Sequence, residues 1–145
     1  VVQVDTYFSH PCYDFASRDE ALRLRSEGGS ATLCYKGPRL RGRVKARREI
    51  EVRVSDPGAI SEILEALGFK PLARVVKRRA AYSRGSVKVL LDEVEGLGVF
   101  VEIEGPSEGA VVRAMRELGF ASNDVVDATY LEMLLGESRK RSNSQ

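Results

Sequence analysis

Like charges recur at two-residue spacing in Arg23 with Arg25, Glu49 with Glu51, Lys77 with Arg79, and Glu102 with Glu104. Lys36 and Asp92 close or extend two further segments of the same alternating kind. On an extended strand, residues two apart point to one face, so each pair presents its charges side by side. Arginines so placed can grip phosphate oxygens bidentately. Carboxylates offer oxygen alone, which suits hard ions such as Mg²⁺ or Mn²⁺, whereas zinc prefers nitrogen or sulfur. Together these residue types fit an anion of high charge density carried with a divalent metal.

Other chemistries find little support. His10 is the only histidine, and neither a Ser-His-Asp pattern nor HExxH surrounds it; it is expected to be a loop residue before Pro11. Cys12 and Cys34 lack zinc-ligand spacing and can form at most one bridge, so both are expected to be reduced and packed. No GxxxxGK[ST] pattern occurs, which leaves side-chain cations to bind any phosphate.

The elements that must position these residues follow from periodicity. Val1–Phe8 reads as a strand, His10–Glu20 as a Pro- and Asp-bearing turn, and Ala21–Arg25 as a half-buried strand. Glu27-Gly28-Gly29-Ser30 is a hairpin turn leading to a return strand over Ala31–Lys36. From Lys36 to Arg48 there are seven basic residues and no acid, which predicts an exposed, mobile arm ordered by a ligand. Glu49–Val54 alternates strictly and is the clearest strand. Asp56-Pro57 then marks a helix start, Ile60, Ile63, Leu64 and Leu67 form its stripe, and Gly68 stops it. Strands are expected at Val75–Ser83, Ser86–Asp92 and Val99–Glu104. A second helix follows Ser107, with Val111, Val112, Met115 and Leu118 as its stripe up to Gly119. A short helix at Asp127–Leu135 precedes a polar tail, Glu137–Gln145, expected to be disordered. Glu49-Ile50-Glu51 with Leu67-Gly68-Phe69 is echoed by Glu102-Ile103-Glu104 with Leu118-Gly119-Phe120, so a strand-helix-strand unit is expected to occur twice.

With 145 residues, 43% hydrophobic and 30% charged at a net charge of +2, the chain suits one globular domain over residues 1–136. No apolar run reaches bilayer length and no signal peptide opens the chain, so a cytoplasmic protein without a membrane partner is expected. The basic arm raises nucleic-acid binding, but beyond Tyr35 no aromatic residues interleave it, which argues against that partner. Arginine outnumbers lysine 17 to 6, a composition that suits a thermophile.

The charged faces admit two readings. An open sheet would hold its apolar face against helices and its charges in water as cross-strand ion pairs. Alternatively the sheet closes and the charges line an interior, which is tolerable only around chelated metal and a polyanion.

The motifs Asp5-Thr6-Tyr7-Phe8, Asp14-Phe15-Ala16, Glu20–Arg25, Thr32-Leu33-Cys34-Tyr35-Lys36-Gly37-Pro38, Arg48–Val52, Lys77-Arg78-Arg79, Leu91–Gly98, Phe100–Glu104 and Tyr130–Leu135, in that order, resemble the CYTH family of triphosphate tunnel metalloenzymes. Within it the chain is most similar to the class IV adenylyl cyclase branch, which converts ATP to cyclic AMP and pyrophosphate. The resemblance implies an α+β fold, an antiparallel barrel of about eight strands around a charged tunnel, with helices packed outside. It implies that Arg23, Arg25, Lys36, Lys77 and Arg79 bind the triphosphate, and that Glu49, Glu51, Asp92, Glu102 and Glu104 hold Mg²⁺ or Mn²⁺. An inorganic or thiamine triphosphatase would use the same residues, and a catalytically impaired module would bind ATP or polyphosphate without turnover. The family's first strand, Glu-x-Glu-x-Lys, belongs upstream of Val1; without it the barrel is expected to have an open edge, which a second copy of the chain could cover as a homodimer.

Overall fold

The computed structural model describes residues 1–40 and 46–143. Among the described residues seven strands are formed: β1 (Val2–Ser9), β2 (Ala21–Glu27), β3 (Ser30–Arg39), β4 (Arg47–Val54), β5 (Lys70–Arg84), β6 (Val87–Val94) and β7 (Gly98–Glu104). The described residues also form three α-helices, α1 (Pro57–Ala66) between β4 and β5, and α2 (Glu108–Glu117) and α3 (Tyr130–Asn143) after β7. Hydrogen-bonded neighbours run β4-β3-β2-β1-β5-β6-β7. The β1–β2, β2–β3, β3–β4, β5–β6 and β6–β7 pairs are all antiparallel. Seven antiparallel strands with helices agree with the expected α+β fold lacking one strand. Val1–Leu40 with Ala46–Val76 forms one compact unit, and the chain from Lys77 forms a second.

In the first unit, the even-numbered residues of β1 and β2 share one face, on which Phe8 and Leu24 are buried while Val2 and Ser26 are exposed. Phe8, Leu24 and Leu64 make a buried core, and Leu22, Leu33, Val54, Ile60 and Phe69 pack against it. Helix α1 covers only part of this face. Ile50 and Val52 of β4 remain 50% and 58% exposed, and Ile63 and Leu67 of the expected stripe also face solvent. The carboxylate of Asp56 caps α1 by accepting from the Ala59 N–H at 3.0 Å, with Pro57 at the first helical position as its fixed φ favours.

In the second unit the strand and helix of this arrangement recur, but the expected closing strand does not: among the described residues α2 is followed by α3. Ser107 caps α2 through the Ala110 N–H, and Gly119 ends it with φ 85° where Gly68 ends α1 with φ 97°. Phe69 N–H donates to the Leu64 carbonyl and Phe120 N–H to the Met115 carbonyl, the same C-terminal closure in both. These two glycines separate two effects. Gly119→Ala should cost roughly 1–2 kcal/mol for a left-handed backbone alone. Gly68→Ala should cost more, because its Cβ would lie 2.9 Å from the Pro11 Cβ whereas nothing lies within 4 Å at Gly119. Equal shifts in the urea midpoint for the two variants would refute the contact term.

Several expectations are modified. Strand β3 runs on through Pro38 to Arg39, with a register irregularity after Lys36, so part of the basic stretch is paired. Arg39 donates to Asp19 from its backbone N–H at 2.6 Å and from its guanidinium, and Arg47 donates to the Gly37 and Asp19 carbonyls. Residues 41–45 of that stretch lie outside the described residues, as do Ser144 and Gln145 of the polar tail. Helix α3 carries helical backbone into the polar stretch after Gly136. Of the two cysteines expected to pack, Cys34 is buried but Cys12 is exposed; both are free. Cys12 lies in a turn whose N–H donates to His10 Nδ1, and His10 stacks on Tyr13 at 3.6 Å, a local packing role. No helix among the described residues is long and apolar enough to cross a membrane.

Candidate functional site

Register gives the first unit a set of polar rungs, because residues paired across antiparallel strands share a face. Tyr7, Arg23, Cys34 and Glu51 form one rung across β1, β2, β3 and β4. Asp5, Arg25, Thr32 and Arg53 form the next, and Ala21, Lys36 and Glu49 the one on the other side. All five residues assigned to this half from the sequence, Arg23, Arg25, Lys36, Glu49 and Glu51, therefore lie on one face.

Within that face Arg23, Arg25 and Lys36 already have counter-ions. Lys36 Nζ lies 3.1 Å from Glu49 Oε1, and an Arg23 terminal nitrogen lies 3.8 Å from Glu51 Oε2. Arg25 donates from Nε and a terminal nitrogen to the two oxygens of Asp5, at 2.7 and 2.8 Å. Asp5 is fully buried and Arg23 nearly so, with the Arg23 Nε unpartnered. Burial pushes the Tyr7 phenol above its usual value, against the opposing charge of Arg23 beside it.

The second unit carries an equivalent face. Its rungs pair Lys77 with Val94, Arg79 with Asp92 and Phe100, Leu90 with Glu102, and Lys88 with Glu104. The separation of charge from apolar residues is less complete here than strand parity suggests, since the buried Leu90 and Val94 share the face of Asp92. Arg79 donates to both Asp92 oxygens at 2.6 Å and to Glu102 Oε2 at 3.1 Å. Tyr130, the first residue of α3, donates its hydroxyl to Asp92 Oδ2 at 2.9 Å. Its ring lies 5.2 Å from that of Phe100 and 5.3 Å beneath the Lys77 ammonium. Lys77 and Asp92 are buried, whereas Glu104 is exposed.

Titration follows from these contacts. Burial works to raise the Asp92 carboxyl, but the hydrogen bonds from Arg79 and Tyr130 and the neighbouring cations outweigh it, and the net shift is downward. Burial works to lower Arg79, and Asp92 and Glu102 reverse it, so the guanidinium stays charged. Burial, with the Glu102 charge, pushes the Tyr130 phenol well above its ordinary value, which keeps it a hydrogen-bond donor.

The donor chemistry fits a hard divalent ion. Cys34 Sγ and one oxygen each of Glu49 and Glu51 lie within 4.8 Å of one another. Burial raises the Cys34 thiol, so it remains protonated and is no thiolate ligand. Oxygen is then the only anionic donor in that group, as Mg²⁺ and Mn²⁺ prefer. The side chains of Glu49, Glu51 and Glu102 are 44%, 51% and 40% exposed, open enough to exchange partners.

Parity on single strands finds ten of these residues but misses Asp5, Tyr7 and Tyr130. Asp5 and Tyr7 share the parity of Gln3 on β1 and lie in a motif that resembles the family, signals that mark the segment without giving either residue a role. Tyr130 lies at a helix start with nothing in its own segment to link it to Asp92.

The chain has relatives among known proteins and solved structures. A candidate adenylate cyclase of Methanocaldococcus jannaschii is 35% identical over 140 residues, covering 90% of this chain and 80% of that protein. The solved structure of the PH1819 protein of Pyrococcus horikoshii OT3 is 40% identical with a TM-score of 0.82, over 94% of this chain and 84% of that one. A candidate adenylyl cyclase of Hippeastrum, described as having a dominant triphosphatase activity, shares the fold at 22% identity and a TM-score of 0.61, over 90% of this chain and 79% of that one. The family model for the CYTH domain matches residues 1–130, a span that takes in both charged faces and reaches Tyr130 itself, and the chain therefore belongs to the CYTH domain family.

Proposed function

We propose that this chain acts on a triphosphate together with Mg²⁺ or Mn²⁺, and that its reaction is the adenylyl cyclase one, ATP going to cyclic AMP and pyrophosphate. The observation that carries the reading is the pairing of cations with open carboxylates, Lys36 with Glu49, Arg23 with Glu51 and Arg79 with Glu102. A metal–polyphosphate is itself a pairing of opposite charges. It can take the place of each internal partner, phosphate oxygens going to the cations and metal to the carboxylates, without leaving a charge unmatched. The name of the Methanocaldococcus relative supports cyclase chemistry in particular.

On this reading Arg23, Arg25, Lys36, Lys77 and Arg79 bind the phosphate oxygens. The guanidinium forks of the three arginines match those oxygens bidentately, while the Lys36 and Lys77 ammonium groups act as point charges. Glu49, Glu51, Glu102 and Glu104 hold the divalent ions; Asp92, which the family resemblance adds to them, is already bonded to Arg79 and Tyr130 and is taken up below. Bound divalent ions would neutralise the phosphate charge and favour attack by the ribose 3′-hydroxyl on the α-phosphorus. Burial of Arg23 and Lys77 keeps water away from the cations and strengthens their hold on an anion.

Product analysis of the purified chain with ATP, tripolyphosphate and thiamine triphosphate, each with Mg²⁺ or Mn²⁺, tests this. Cyclic AMP from ATP is the expected product. Orthophosphate from tripolyphosphate instead would move the chain to the triphosphatase chemistry ascribed to the Hippeastrum protein. Binding heat without product would make it a binding module, and neither heat nor product would overturn the reading.

A further inference from the structure

We infer that Asp5 and Asp92 are positioning residues, each fixing the orientation of a phosphate-binding arginine and neither serving as a metal ligand; the inference rests on the triphosphate reading above. The same cross-strand device is present in each unit. Asp5 stands directly across from Arg25 on β1 and β2, and Asp92 directly across from Arg79 on β6 and β5. Each aspartate has no exposed surface, and each receives its arginine through Nε and a terminal nitrogen on separate carboxylate oxygens.

A metal ligand needs a lone pair and a path to it. An ionised carboxylate has about four lone-pair positions. Arg79 and Tyr130 together place three donors on Asp92, two of them on Oδ2. Glu102, beside it, differs in kind: it meets Arg79 through one oxygen and keeps a side chain 40% exposed. What Asp92 and Asp5 can do from their buried places is hold a planar guanidinium. Gripped along one edge, the guanidinium cannot swivel, so little rotamer freedom is left to lose when phosphate binds. Without the aspartate, the long arginine side chain must be ordered by the ligand itself.

Calorimetric titration of the full chain with tripolyphosphate and, separately, with Mn²⁺ tests this in Asp5→Asn and Asp92→Asn. Tripolyphosphate binding is expected to weaken roughly tenfold or more, the scale of hydrogen bonds to charged groups, with Mn²⁺ affinity unchanged. Loss of Mn²⁺ affinity in either variant, or unchanged tripolyphosphate binding, would overturn the inference. Should a variant fail to fold, the wild-type chain provides the second measurement, side-chain carboxylate ¹³C shifts during a Mg²⁺ titration. The Glu102 signal is expected to move while those of Asp5 and Asp92 stay. Movement of Asp92 with Glu102 would sink the positioning role alone. A wild-type chain that binds neither Mg²⁺ nor tripolyphosphate would sink the triphosphate reading as well.

Discussion

Asp5→Ala should lower the unfolding free energy by about 3–5 kcal/mol, the cost of leaving one member of a buried ion pair without its partner. Asp5 has no exposed surface, and the Arg25 side chain is only 15% exposed, so water can restore little of what the guanidinium loses. The effect should appear in urea melts as a lower midpoint at an unchanged slope, since the surface exposed on unfolding hardly changes. A double variant, Asp5→Leu with Arg25→Met, should recover most of the loss, because apolar residues of similar volume often replace a buried pair at little cost. A loss of under about 1 kcal/mol in the single variant, the range of an exposed pair, would mean that the Asp5–Arg25 contact is solvated and contributes little.

Phe8→Ala should cost a similar amount, about 3–5 kcal/mol, for a different reason. Phe8 is 2% exposed and sits between Leu24 and Leu64 under α1, so truncation leaves a cavity that α1 and β2 can close only in part. Its neighbours on β1, Tyr7 and Thr6, point to opposite faces from one another, and Tyr7 lies on the charged rung with Arg23. Loosening the core beneath β1 should therefore weaken tripolyphosphate binding along with stability. Phe8→Leu, which keeps most of the volume, should lose much less of both. A melt of Phe8→Ala that matched the wild type would show that this core carries little of the stability.

Local pattern explains which parts of this architecture were legible beforehand. The alternation of Glu49–Val54, the cap at Asp56-Pro57 and the stop at Gly68 each depend on residues close in sequence, and each is found in β4 and α1. Strand parity placed Arg23 with Arg25 and Glu102 with Glu104 for the same reason. Register between strands is not local. Asp5 faces Arg25 only because β1 and β2 pair at one offset, and that offset is set by the intervening turn and by core packing. Tyr130 reaches Asp92 across 38 residues, a contact no periodicity encodes. Helical spacing also overstated the core, since Ile63 and Leu67 belong to the α1 stripe yet are 53% and 65% exposed. The arm beyond Lys36 was read from charge repulsion alone, which could not anticipate that Asp19 would neutralise Arg39.

The internal ion pairs have a thermodynamic consequence. On the triphosphate reading, a polyanion arriving alone would take Arg23 and Lys36 away from Glu51 and Glu49 and strand two carboxylates; a cation arriving alone would strand the two bases. Each newcomer thus prepares the place of the other, and by linkage the factor by which metal tightens polyphosphate binding must equal the factor by which polyphosphate tightens metal binding. On that reading, affinities measured for either component by itself would understate what the two achieve in company.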